Sequence, residues 1–127
     1  MRRVLIESPF AAPTPEQVEE HVRYARACLK DALSHQEAPL ASHLLYTQPG
    51  VLDDNIPHER QWGIDAGIEW YKVAEACIVY TDCGISSGMK YGIARAEAQG
   101  IPVEYRTIPS WQPKAKPAAT LKQSFKP

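Results

Sequence analysis

Four short apolar runs, at residues 3–7, 38–41, 76–80 and 102–106, are separated by stretches whose apolar side chains return every three or four positions. Runs of this length suit buried strands, and that period suits helices laid against them. Few folds accept such alternation. A strand, a crossover helix and the next strand form a right-handed unit, and several such units build a parallel sheet with helices on both faces. The pattern predicts an α/β fold: a small Rossmann-like three-layer sandwich around a mainly parallel sheet of roughly four to five strands.

The helices carry their own start and stop signals. Thr14 is an N-cap followed by Pro15 at the first helical position and Gln17 at the third, and Val18, Val22, Ala25, Leu29 and Ala32 then form one apolar stripe. Pro57 opens a second helix with Ile64, Ile68 and Tyr71 on one face and Gly63 and Gly67 on a neighbouring one, a spacing that permits close approach of another element or a ligand. Met89, Ile93 and Ala96 mark a third helix that Gly100 stops. Residues 42–56 are polar and turn-rich and read as one long loop. One domain is expected over residues 1–108, followed at 109–127 by a Pro/Lys-rich tail with Trp111 tucked onto the domain.

Charge and cysteines narrow the function. A net charge of −1 with interspersed signs leaves no electrostatic footprint for strong nucleic-acid binding, and the tail lysines give little affinity at physiological salt. No apolar run reaches the length of a membrane span, and Met1-Arg2-Arg3 leads into a strand rather than a signal-peptide core, so a cytoplasmic protein is expected. Cys28, Cys77 and Cys83 have no metal-site or disulfide spacing, and Asp53 and Asp54 lack a third hard ligand, so neither metal nor cofactor is predicted.

The richest segment for chemistry joins the third strand to the third helix: Tyr80-Thr81-Asp82-Cys83-Gly84-Ile85-Ser86-Ser87-Gly88-Met89. Unpaired N–H groups in a first helical turn attract a phosphate or carboxylate, and Ser86, Ser87 and Gly88 suit that role, although serine there also serves simply as a cap. Asp82 suits ribose hydroxyls instead, as acidic residues do in dinucleotide folds. Carboxyl ends of parallel strands share one edge, so Glu7, Ser8, Pro9, Phe10 and His43 are expected beside Asp82, Gly84, Ser86, Ser87, Gly88 and Met89. Tyr46 offers a ring for base stacking. The ligand class that fits is a phosphorylated sugar or nucleotide.

Leu5-Ile6-Glu7-Ser8-Pro9-Phe10, His43-Leu44-Leu45-Tyr46-Thr47, Leu52-Asp53-Asp54 and Gly84-Ile85-Ser86-Ser87-Gly88-Met89 occur in this order. As a set they resemble an uncharacterised family of phage and bacterial domains. That family is similar to the nucleoside 2-deoxyribosyltransferase-like superfamily, which includes deoxynucleoside monophosphate N-glycosidases. The resemblance covers residues 3–108 and implies a flavodoxin-like, often oligomeric protein with a nucleoside or nucleotide at the sheet edge. In active enzymes of the superfamily a glutamate four residues after the corner's glycine attacks the sugar. Here that position is Gly92, so a nucleophile at this point is missing.

Two functions follow. In the first, the chain binds a nucleotide or nucleoside on an enzyme-like scaffold. The alternative is an active N-glycosidase or transferase that uses another carboxylate, with Glu7 and Asp82 as candidate catalytic residues. Glu7 follows three apolar residues at a strand end, which places it where burial raises a carboxyl's pKa. His43 can contact a base or shuttle a proton; Arg60 can clamp a phosphate or pair with a nearby acid. Trp62 and Trp70, on one side of their helix, read as core or as subunit contact and suggest a homo-oligomer.

Overall fold

The computed structural model describes residues 1–113. The chain runs β1 (Arg2–Glu7), α1 (Pro15–Ser34), β2 (Glu37–Leu40), α2 (Ser42–Leu45), α3 (Pro57–Glu69), β3 (Ala76–Tyr80), α4 (Ser87–Ala98) and β4 (Val103–Arg106), with a 3-10 turn over Trp70–Lys72 after α3. The four strands pair in the order β2-β1-β3-β4, all parallel. This is the α/β arrangement that the alternation of strand and helix predicts.

Strand periodicity divides the core in two. Val4, Ile6, Ala76, Ile78 and Tyr80 point to the face covered by α1, where they meet Tyr24, Ala25, Cys28 and Ala32. Leu5, Cys77 and Val79 point the other way, onto Met89, Ala96 and Tyr71. Thr14 caps α1 as expected, its hydroxyl accepting from the Gln17 N–H. Pro39 is tolerated in β2 because that strand lies at the sheet edge.

Two regions differ from the sequence reading. The segment read as one loop contains α2, a single turn too short to produce a periodic signal. No side chain of the helix α3 is fully buried. It packs mainly on α2 and on the 3-10 turn, and Ile68 reaches the core cluster that contains Leu5 and Tyr71. Gly67 makes the first contact possible, since a Cβ there would lie 2.8 Å from Ser42 Oγ. Trp62 and Trp70 are accordingly outside the core, 65% and 42% exposed, and Trp70 Nε1 donates to Tyr46 Oη at 2.8 Å.

The docked chain extends past residue 108. Trp111 stacks edge-on against Tyr24 at 4.8 Å between centroids, under the Arg23 guanidinium at 4.1 Å, and Arg23 also donates to the Gln112 carbonyl. The tail lysines from Lys114 onward lie outside the described residues. Polar groups pair at one end of the sheet: Glu37, 4% exposed, accepts from both Arg2 and Arg106, Arg2 also pairs with Glu104, and Asp31 of α1 accepts from Tyr80. Among the described residues no helix is long and apolar enough to cross a membrane.

Candidate functional site

A cavity of about 510 Å³ lies between α3 and the carboxyl edge of the sheet. Its floor is the carboxyl end of β1, which supplies Glu7 and Ser8; α2 and the turn after it add His43, Tyr46 and Thr47; the start of α4 adds Ser86, Ser87, Gly88 and Met89. Phe10, Asp54, Glu59, Arg60, Gly67, Tyr71 and Gly92 are among the other wall residues. A second cavity of about 570 Å³ adjoins it behind Phe10, Leu52 and Asp54.

Glu7 is the central residue of the floor. Strand alternation from Leu5 turns it toward α4, and β1 is the strand paired on both sides. The Glu7 carboxylate fills the space beside Gly92: a Cβ on residue 92 would overlap Oε2 and approach Cδ to 2.5 Å. Burial raises its pKa to about 8, opposed by a hydrogen bond with Tyr71. At neutral pH Glu7 is therefore largely a neutral acid. Tyr71 Oη lies 3.1 Å from Glu7 Oε2 and 3.2 Å from the Gly92 carbonyl oxygen. The Tyr71 hydroxyl thus has two acceptors within reach of its one proton, the Glu7 carboxyl and the Gly92 carbonyl.

His43 is the second titratable group. Ser8 Oγ and His43 Nε2 share a hydrogen bond of 2.8 Å, and burial lowers the imidazole pKa to about 4. The ring is neutral at physiological pH and keeps its capacity to accept a proton. A neutral acid and a neutral base thus line one cavity, the arrangement in which environments push two pKa values apart.

At the α4 start Ser86 Oγ accepts from the Met89 N–H, and the Ser86 N–H points to Met89 Sδ at 3.4 Å. The cap role of Ser86 is thereby met, while Ser87 and Gly88 remain on the cavity wall.

Of the sequence candidates, Glu7, Ser8, Phe10, His43, Tyr46, Ser86, Ser87, Gly88 and Met89 converge on the cavity, whereas Pro9, Asp82 and Gly84 do not line it. Asp82 is the largest departure. Its Oδ2 accepts from Tyr24 Oη at 2.6 Å, and both its oxygens accept from the Ile108 N–H. Asp82 lies two residues beyond Tyr80, so its side chain continues toward the α1 face, opposite the cavity. It fastens the end of the domain on the face away from the cavity. Gly84, at φ +82°, closes the turn on the Thr81 carbonyl. Tyr71 is the site residue that sequence reasoning assigned to packing alone. Its spacing from Ile64 and Ile68 marks the inward face, but the partner Glu7 is 64 positions away.

Sheet order and helix placement define an α/β protein of the deoxyribosyltransferase fold. The chain superposes with a TM-score of 0.57 on a 2-deoxyribosyltransferase from the psychrotolerant bacterium Bacillus psychrosaccharolyticus, described as a biocatalyst for nucleoside synthesis. The two are 16% identical, over 96% of this chain and 81% of the other. Residues 2–106 match the family described as Domain of unknown function (DUF7768), and the chain belongs to that family. A comparison with curated proteins found no match.

Proposed function

We propose that this chain binds a nucleoside or nucleotide in the cavity between α3 and the sheet. The observation that carries the reading is the convergence of Glu7, Ser8, His43 and the α4 start on one cavity of about 510 Å³, a size that suits a small organic ligand. Sugar hydroxyls meet Glu7 and the Ser8–His43 pair, the aromatic rings of Phe10 and Tyr46 serve the base, and a phosphate, where the ligand carries one, goes to Ser87 and Gly88. The fold shared with a deoxyribosyltransferase supports a ligand of this class. We take the protein to be cytoplasmic and free of cofactor and metal. We also take it to be a homo-oligomer through the exposed Trp62 and Trp70, which light scattering tests directly.

One observation favours turnover as a second reading. Glu7 holds its carboxyl beside Gly92, where the superfamily resemblance places a glutamate, so a strand delivers the group that a helix lacks. Incubation with nucleosides and deoxynucleotides, following thermal shift and free base together, separates the two readings. Stabilisation with intact ligand supports binding, and released base that disappears in Glu7→Gln supports turnover. Absence of both effects across the panel refutes the proposal.

A further inference from the structure

The charges around the cavity bear on which ligands it accepts. Among the described residues that line it, Arg60 is the sole lysine or arginine. Its Nη1 donates to Asp54 Oδ2 at 2.8 Å, and Asp54 is the less exposed partner, at 26% against 47%. Glu59, another wall residue, is turned toward the Asp53 N–H, which donates to its Oε1 at 2.7 Å. The guanidinium thus faces a carboxylate already in place, with a second carboxylate in the same wall. A phosphate entering here finds the N–H groups of Ser87 and Gly88, but to gain the cation it must compete with Asp54 and then sit beside the carboxylate it has displaced. An uncharged sugar and base meet no such opposition, because Glu7, Ser8 and His43 offer hydrogen bonds.

Resting on the function proposed above, we propose that the cavity takes uncharged nucleosides in preference to their phosphate esters, and that Asp54 sets this preference by holding Arg60. Asp54 is in this sense a specificity residue. Guanidinium is well matched to phosphate and binds it bidentately once free. Removing the Asp54 charge therefore converts an occupied cation into an available one.

The test uses the full chain, with calorimetric titration of four 2′-deoxynucleosides and their 5′-monophosphates. The wild type is expected to bind its best nucleoside at least about tenfold more tightly than the matching monophosphate. Asp54→Asn is expected to shrink that ratio by about fivefold or more, since a charge-assisted phosphate contact is gained. Arg60→Gln added to Asp54→Asn should cancel this gain, and melting curves establish that each variant is folded. A wild type that binds the monophosphate as tightly as the nucleoside, or a ratio unmoved in a folded Asp54→Asn, overturns the assignment while leaving nucleoside binding intact. Failure of every nucleoside and monophosphate to bind overturns the proposed function itself, and this assignment with it.

Discussion

Replacing Gly92 by alanine places a methyl group on top of the Glu7 carboxylate, and the cost can be worked from the geometry. The new Cβ would overlap Oε2 and lie 2.5 Å from Cδ and 2.8 Å from Oε1, so the whole carboxyl must leave or α4 must shift. Overpacking of this kind costs about 1–3 kcal/mol. Loss of the Glu7–Tyr71 hydrogen bond adds roughly 1 kcal/mol. Alanine in a helix interior returns about 0.5–1 kcal/mol relative to glycine. The net expectation for Gly92→Ala is a loss of about 1–3 kcal/mol. In a Glu7→Ala background the obstacle is gone, and the same substitution should stabilise by about 0.5–1 kcal/mol. Urea denaturation of the four proteins gives the coupling, expected at about 1.5–4 kcal/mol. Additivity within about 0.5 kcal/mol would show that Glu7 and residue 92 do not compete for one space.

The raised pKa of Glu7 has a definite sign in stability. Its folded value of about 8 lies above its ordinary value of 4.5, so the folded state holds a proton that the unfolded chain has released. Stability is then greatest below the lower value and falls as pH rises between the two, by at most about 1.4 kcal/mol per pH unit. Glu7→Gln should gain on the wild type across this interval and run parallel above it; a constant gap would refute the assignment. His43 should resist protonation until about pH 4, which imidazole resonances followed by NMR will show; titration near 6.5 would mean that the ring is hydrated. Asp82→Ala should cost about 1–3 kcal/mol through Tyr24 and the Ile108 N–H while sparing nucleoside affinity. A large affinity loss at unchanged stability would return Asp82 to the binding site. Glu37→Gln should cost about 3 kcal/mol by leaving Arg106 and Arg2 short of their shared carboxylate. The Arg106 hydrogen bond, with Arg2, holds the Glu37 pKa at about 2, so in the wild type this contribution persists at neutral pH and fades as pH falls from 4.5 toward that value.

How much of this was legible in the sequence depended on the range of the interaction. The sheet could be read because its strands are apolar and short and its helices keep their period, and both signals are local. β1 also revealed Glu7, since three apolar residues followed by a carboxylate at a strand end place an acid at the ligand edge. Asp82 was misplaced by its company: the neighbouring serines face the cavity, but alternation from Tyr80 turns Asp82 the other way, toward a tyrosine 58 positions distant. The pairing of Glu7 with Gly92 had no local trace. It requires parallel β1 and β3 side by side and α4 lying across them. Glycine at position 92 signalled a missing side chain, not that another residue occupies its volume. The tryptophans of α3 and its successor turn gave a helical period without saying which face meets water, and the face that α3 turns inward, with Ile64 and Ile68, is only half-buried.

That last property divides the cavity into two mechanical parts. The floor belongs to β1, hydrogen-bonded to a strand on each side, and its backbone amides should exchange with solvent only when the whole domain opens. The roof belongs to α3, which packs mainly on α2 and the 3-10 turn and reaches the core through half-buried Ile68. Local opening of α3 is therefore expected to cost less than global unfolding, with Glu7 keeping its place on β1, and faster amide exchange in α3 than in β1 would show it.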